Sequence, residues 1–285
     1  MISGASLQLR PAVLTDQREI ASLIHFSPQV HRHLDWRNPL DWIGSPPYFV
    51  IENHGQVIAA LGCPPDPPQI AWVRLFVNSG KIPVQNSWQM LWERTRAEMA
   101  GKGQFMIAAI VFQEWLKDIL ISSEFASHQS IVMLERIGGS AVSLVLPPEI
   151  SLRAMMIYDL PAVAEVDASA FEKLWQNSLQ ALEQAYPQAI LATVAETNGK
   201  VIGYQISTRN PYGVHLARLA VRPDVQGHGV GYALVADLIQ QAELRGLARL
   251  TVNTQSDNAI SLALYQRLGF HETGERYPVY QFLVL

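Results

Sequence analysis

From His215 to Val221 the chain alternates with a period of two. His215, Ala217, Leu219 and Val221 fall on one side, and Leu216, Arg218 and Ala220 on the other. That period predicts a β-strand, with His215 on the same face as Leu219 and Val221. Pro223 ends the run because it has no N–H to give to a ladder. Beyond it Leu234, Val235, Leu238, Ile239 and Ala242 recur at helical spacing, so the segment reads strand, turn, helix.

The same pattern is written twice, and the halves align at an offset of roughly 144 residues, an internal repeat. Leu9-Arg10-Pro11-Ala12 answers Leu152-Arg153-Ala154-Met155 as an opening strand, and Thr15-Asp16 answers Tyr158-Asp159 ahead of a helix. Residues 48–62 answer 191–207 as paired strands turning through His54-Gly55 and Asn198-Gly199. The strand 70–80 answers 214–224, and a helix follows each. Then 104–111 answers ARLTVNT as a buried strand, QEWLKDIL answers AISLALYQRL as a helix, and Ser123-Glu124-Phe125 answers Leu268-Gly269-Phe270. Each half is expected to close on a strand hairpin. The order β-α-α-β-β-β-α-β-α-β-β over about 140 residues predicts one α/β domain per half. Pro147-Pro148 reads as a stiff joint, giving domains 1–146 and 150–285.

Composition narrows the partners. With 285 residues, a net charge of −4, 49% hydrophobic and 16% charged residues, the chain suits a globular protein that favours neither nucleic acid nor an anionic membrane. Cys63 stands alone, so no internal disulfide is expected, which fits a reducing, cytoplasmic setting. The N-terminal residues lack the pattern of an export leader, and apolar runs such as FMIAAIVF are too short to span a bilayer. His25 and His31-Arg32-His33 have no acidic or cysteine partners at metal-ligand spacing, so a solvated loop is expected there and no metal. Six of the seven tryptophans lie in the first half, which predicts a packed core or an interface.

The link between strand and helix, Gln226-Gly227-His228-Gly229-Val230-Gly231, carries the chemistry. A glycine-rich helix start presents unpaired N–H groups at the positive end of the helix dipole, which favours phosphate. A dinucleotide site would need G-x-G-x-x-G, but the glycines fall at 227, 229 and 231, and no ribose-binding acid ends the next strand. The counterpart in the first half, Ile82 to Ser87, has a proline and no glycine, so that half is expected to lack the cradle.

The loop resembles the acyl-CoA loop of the GNAT superfamily of N-acetyltransferases, Gln/Arg-x-x-Gly-x-Gly/Ala, at Gln226, Gly229 and Gly231. Leu219-Ala220-Val221-Arg222-Pro223, Ser256-Asp257-Asn258, and Tyr265 with Leu268-Gly269-Phe270 match the same family in order and spacing. The resemblance implies two tandem GNAT-like domains, each a mixed, mostly antiparallel central sheet flanked by helices. The first would be degenerate and the second catalytic, with acetyl-CoA as co-substrate and no metal. It implies that main-chain groups of Leu219, Ala220 and Val221 meet the acetyl carbonyl where the fourth and fifth strands splay. Amides of Gly227, His228, Gly229, Val230 and Gly231, with Tyr232 in the first turn, would hold the pyrophosphate.

Asn258 would bond the pantetheine arm or a bridging water. Tyr265 lies about two helical turns further on the same face. With a reference pKa near 10 against about 8.5 for a thiol, it would protonate the leaving sulfur. For the general base two readings of His215 stand: at the place where the histone-acetyltransferase branch carries a glutamate, its neutral imidazole would take the amine's proton directly or through water, or it is a hydrogen-bonded surface residue at a strand start. Asn253, grouped with the cofactor-binding positions, stands where ribosomal-protein N-terminal acetyltransferases place a base glutamate, and an amide cannot take up that proton. Those enzymes are similar at Ala170-Phe171-Glu172. Mycothiol synthase is similar in its two-domain plan and in the run Ser-Asp-Asn. The expected acceptor is therefore a primary amine, of a small molecule or of a peptide N-terminus. The other class of reading is a non-catalytic acyl-CoA-binding or interaction module. Retention of Gln226 to Gly231 together with Tyr265 favours the enzyme.

Overall fold

The structure is a computed structural model describing residues 7–138, 142–144, 146–210 and 213–285. The chain divides into two units, Met1–His128 with Pro278–Leu285, and Gln129–Tyr277.

Along the chain the first unit contains β1 (Leu7–Pro11), α1 (Gln17–Phe26), β2 (Gln29–Arg32), β3 (Tyr48–Asn53), β4 (Gln56–Gly62), β5 (Ile70–Trp72), β6 (Leu75–Asn78), α2 (Val84–Met99), β7 (Phe105–Ile110) and α3 (Glu114–Ser122). One sheet runs β1-β3-β4-β6-β2 and is antiparallel throughout. β3 and β4 turn through His54 and Gly55 at φ 50° and 76°, the two-residue hairpin expected from the sequence. The strand expected over 70–80 is broken, because β5 pairs in parallel with β7 while β6 stays with β4 and β2. The switch falls at Val73, whose N–H donates to the Ala108 carbonyl, and Arg74, whose N–H donates to that of Gly62. Phe76, Trp88, Trp92 and Phe125 fill one core cluster with Val73 and Ile107. Trp88 meets Phe76 edge-on at 5.0 Å and stacks on Trp92 at 5.8 Å. Trp42, Trp72, Trp88 and Trp92 are all buried, so these aromatics serve as core.

His31 corrects the expectation of a solvated loop. It lies within β2, only 3% exposed, with Nε2 donating to the Val73 carbonyl at 3.0 Å. Burial pushes its imidazole down to about 4. His33 stacks on Trp72 at 4.5 Å. A four-residue strand carries too little pattern to be read ahead of time.

The rest of the chain forms β8 (Ala126–Ile137), β9 (Ser151–Ala154), α4 (Leu160–Ala170), α5 (Leu179–Ala185), β10 (Ala189–Thr197), β11 (Lys200–Asn210), β12 (Gly213–Val221), α6 (Val230–Leu244), β13 (Arg249–Gln255), α7 (Ala259–Arg267) and β14 (His271–Val284). In the second unit the strands lie in the order β14-β8-β13-β12-β11-β10-β9. β12 and β13 are parallel, whereas β8 with β13 and the run β9 to β12 are antiparallel.

The repeat is exact in its opening contacts. Arg10 pairs with Asp16 at 2.7 Å and Glu52 at 2.9 Å, and Arg153 pairs with Asp159 at 2.7 Å and Glu196 at 2.9 Å. Each arginine holds its aspartate below the usual carboxylate range. The closing of each half differs from the expected hairpin, since each ends in one long strand. Ile131 to Ile137 of β8 pair with β13, and Val279 to Val284 of β14 pair with β7. The strand that completes each half's sheet therefore comes from the other half of the sequence. For this reason the expected joint at 146–150 falls inside the second unit.

Candidate active site

Among the described residues β12 and β13 pair at three positions, Val214 with Leu250, His215 with Thr251 and Leu216 with Val252. Past Leu216 the strands part. On the other side of β12, Ser207 faces Leu216 and Ile206 faces Arg218, so Ala217 is a bulge residue without an opposite number. A bulge reverses side-chain parity. Before it Val214 and Leu216 enter the core under α6, and after it Leu219 and Val221 do.

His215 therefore does not share a face with Leu219 and Val221. It lies on the opposite face, with Nδ1 2.9 Å from Thr251 Oγ1 and a side-chain hydrogen bond to Asn253. Burial lowers its pKa, partly offset by the Asn253 bond and by the Thr251 backbone, so the neutral ring is favoured.

A cleft of about 650 Å³ opens where the strands part. Leu219, Ala220 and Val221 line it, with Gln226, Gly227, Gly229, Val230, Gly231, Tyr232 and Asn258; Phe171, Glu172, Trp175 and Gln129 are also among its lining residues, as are Asp257 and Arg267. A smaller hollow of about 110 Å³ shares Leu219 and Asn258 and adds Ala217, Arg218, Asn253 and Tyr265. Every one of these residues belongs to the second unit.

The glycine loop enters α6 with Gly229 as N-cap in the left-handed region, φ 83°. The Gln226 side chain donates to the Val221 carbonyl at 2.9 Å and ties the loop to the end of β12. His228 is exposed, and its Nδ1 folds onto the Gln226 carbonyl at 3.0 Å, so it joins the loop through its main chain. From Gly227 to Tyr232 no main-chain N–H meets an acceptor among the described residues, while the next one, Ala233, donates to Gly229. A row of unsatisfied donors at the positive end of a helix of 15 residues fits a pyrophosphate. Arg267 stands over the Tyr232 ring at 4.9 Å and adds positive charge to the same end of the cleft.

Tyr265 sits in the hollow, 4% exposed, with its ring 5.7 Å from Phe270. Burial pushes its phenol well above the usual value, so it carries its proton throughout the neutral range. Asn258 caps α7 by accepting from the Ser261 N–H at 3.0 Å, which leaves its NH₂ group as the donor on offer to the cleft. Among the described residues no carboxylate or imidazole lines the hollow beside Tyr265. Among the described residues no group of three or more His, Cys, Asp or Glu is placed to hold a metal, and no helix is long and apolar enough to cross a membrane.

Sequence reasoning missed Asp167 and Arg218, which anchor one wall of the cleft. Asp167 did leave a signal, a charge on the apolar stripe of α4 beside Val163 and Val166. Gln129 was missed because it precedes the expected joint.

Residues 160–270 match the model of the acetyltransferase (GNAT) family. The chain is 34% identical over 122 residues to the [ribosomal protein bS18]-alanine N-acetyltransferase of Escherichia coli K12, covering 43% of this chain and 81% of that protein. The Salmonella typhimurium enzyme of the same name is 30% identical over 126 residues, covering 43% and 84%. Among solved structures, a tandem GNAT protein from the clavulanic acid biosynthesis pathway matches 98% of this chain and 99% of its own at 15% identity and TM-score 0.65. A GCN5-related N-acetyltransferase from Sphaerobacter thermophilus matches 98% and 96% at 15% identity and TM-score 0.60. These two likenesses speak for the fold, and the bacterial relatives speak for the family. The chain belongs to the GNAT acetyltransferase family and is an N-acetyltransferase.

Proposed function

We propose that the second unit moves an acetyl group from acetyl-CoA to a primary amine by direct attack of the amine on the thioester. The observation that carries this is the row of free N–H groups from Gly227 to Tyr232, opening on the same cleft as Leu219 and leading to the hollow of Tyr265. Acetyl-CoA supplies an activated acetyl group.

The chain's residues do the rest. Amides of Gly227 to Gly231 hold the pyrophosphate, and the NH₂ of Asn258 donates to the pantetheine arm. Main-chain donors freed around the Ala217 bulge and Leu219 to Val221 face the charge that develops on the carbonyl oxygen. Tyr265 gives its proton to the departing sulfur and regains one from solvent. His215 reaches the hollow only through Asn253, so we assign it the orientation of that amide rather than proton removal. The amine enters neutral and loses its proton to water in the cleft.

The acceptor is the amine of a small molecule or of a peptide N-terminus. The relatives named as bS18-alanine N-acetyltransferases support the peptide reading. Asn253, an amide, leaves room for the other. The deciding experiment is thiol release from acetyl-CoA with a panel of amino sugars, polyamines, amino acids and short peptides. One class should raise release clearly above hydrolysis. Binding of acetyl-CoA with no acceptor in any class would turn the assignment toward a non-catalytic acyl-CoA-binding module.

A further inference from the structure

The segment following α4 forms the cleft wall that bears Phe171, Glu172 and Trp175, yet its only regular structure is a short 3-10 turn, Lys173–Trp175. A buried charge pair holds it. Asp167, near the end of α4, is fully buried, and Arg218 Nε and Nη2 donate to its two oxygens at 2.7 and 2.8 Å. The same Nη2 donates to the Trp175 carbonyl at 2.6 Å, and the guanidinium carbon lies 3.6 Å from the centroid of the Phe171 ring. Asp167 also accepts from the Asn177 N–H at 2.7 Å and from the Tyr204 hydroxyl. One arginine thus touches Phe171 and Trp175 directly and Asn177 through its carboxylate partner.

Arg218 also has a place in the other wall. It comes directly after the bulge residue Ala217 and directly before Leu219, which lines both the cleft and the hollow. We propose that Arg218 is a positioning residue that fixes the two walls against each other. Through its main chain it holds the bulge where the strands part, and through its guanidinium it sets Phe171, Glu172 and Trp175 at the distance that admits the acceptor. The inference rests on the acyl-transfer reading above.

A buried ion pair is a weak source of stability, because desolvation offsets most of its attraction. What it adds is directional. The planar fork of a guanidinium engages two carboxylate oxygens and a carbonyl at once, which an ammonium cannot do from one site.

The test uses Arg218→Lys and the double variant Arg218→Met with Asp167→Leu, which leaves no unpaired buried charge. Amide hydrogen exchange in residues 171–178 should quicken by about tenfold in both, with α6 unchanged. With an accepted amine, the acceptor KM should rise by about tenfold while kcat and the Kd for acetyl-CoA stay within about twofold. Unchanged exchange at 171–178 in both variants would overturn the proposal. So would a parallel loss of acetyl-CoA affinity, since that marks general disorder of the unit. If no amine is acetylated by the parent protein, the acyl-transfer reading fails, and the exchange arm still decides whether Arg218 holds this wall.

Discussion

A phenol buried as deeply as Tyr265 keeps its proton, and the direction of its shift decides what it can do. Raised above the ordinary value, it can donate to a thiolate at neutral pH but cannot serve as a base. Tyr265→Phe keeps the ring against Phe270 and removes only the hydroxyl. It should lower kcat by about 10²-fold with the Kd for acetyl-CoA nearly unchanged. Steady-state rates set beside calorimetry test this, and an undiminished kcat would take the hydroxyl out of the reaction. The placement of Tyr265 and Asn258 beside one hollow was legible in the sequence because Tyr265 lies on α7 and Asn258 caps it, where spacing fixes direction. His215 was misplaced because strand parity holds only while the strand is regular, and no residue type announced the bulge at Ala217.

Short elements carry the loop geometry. Gly229 has φ 83° and nothing within 4 Å of where a Cβ would stand, so its need for glycine comes from the backbone alone. A β-branched residue there costs about 1–2 kcal/mol or turns the N–H groups away from the cleft. Gly229→Val should therefore weaken acetyl-CoA binding by about tenfold or more, equivalent to about 1.4 kcal/mol. Gly231→Ala is the control, because its new Cβ would meet Leu264 and Val221 at 3.5 and 3.7 Å, ordinary contact, and affinity should hold. Equal affinity in both variants would count against the cradle. Elements marked by local chemistry were readable, as at Asn198-Gly199, whose φ values of 49° and 72° make the expected turn. β2 and the closing strands were not, because four residues show no period and the partner of a strand is not written in its own pattern.

The two units differ most where their plans coincide. In the first, the helix that answers α6 is capped by Pro83, whose carbonyl already accepts from Asn86 and Ser87, and aromatic side chains pack beneath it. A titration should find one acetyl-CoA per chain; two would mean that the first unit also binds. The repeat itself was legible because its conserved contacts are local, as in Arg10 with Asp16 and Arg153 with Asp159. The division was not, since it depends on pairings more than a hundred residues apart. The lending of β8 and β14 across the halves bears on ancestry and on proteolysis. A single nick near residue 145 would yield neither a working acetylase nor a spare scaffold, because each fragment would leave with a strand that belongs in its sibling. The pair would have to be made together and stay together, so neither half can dispense with the other, whatever each does.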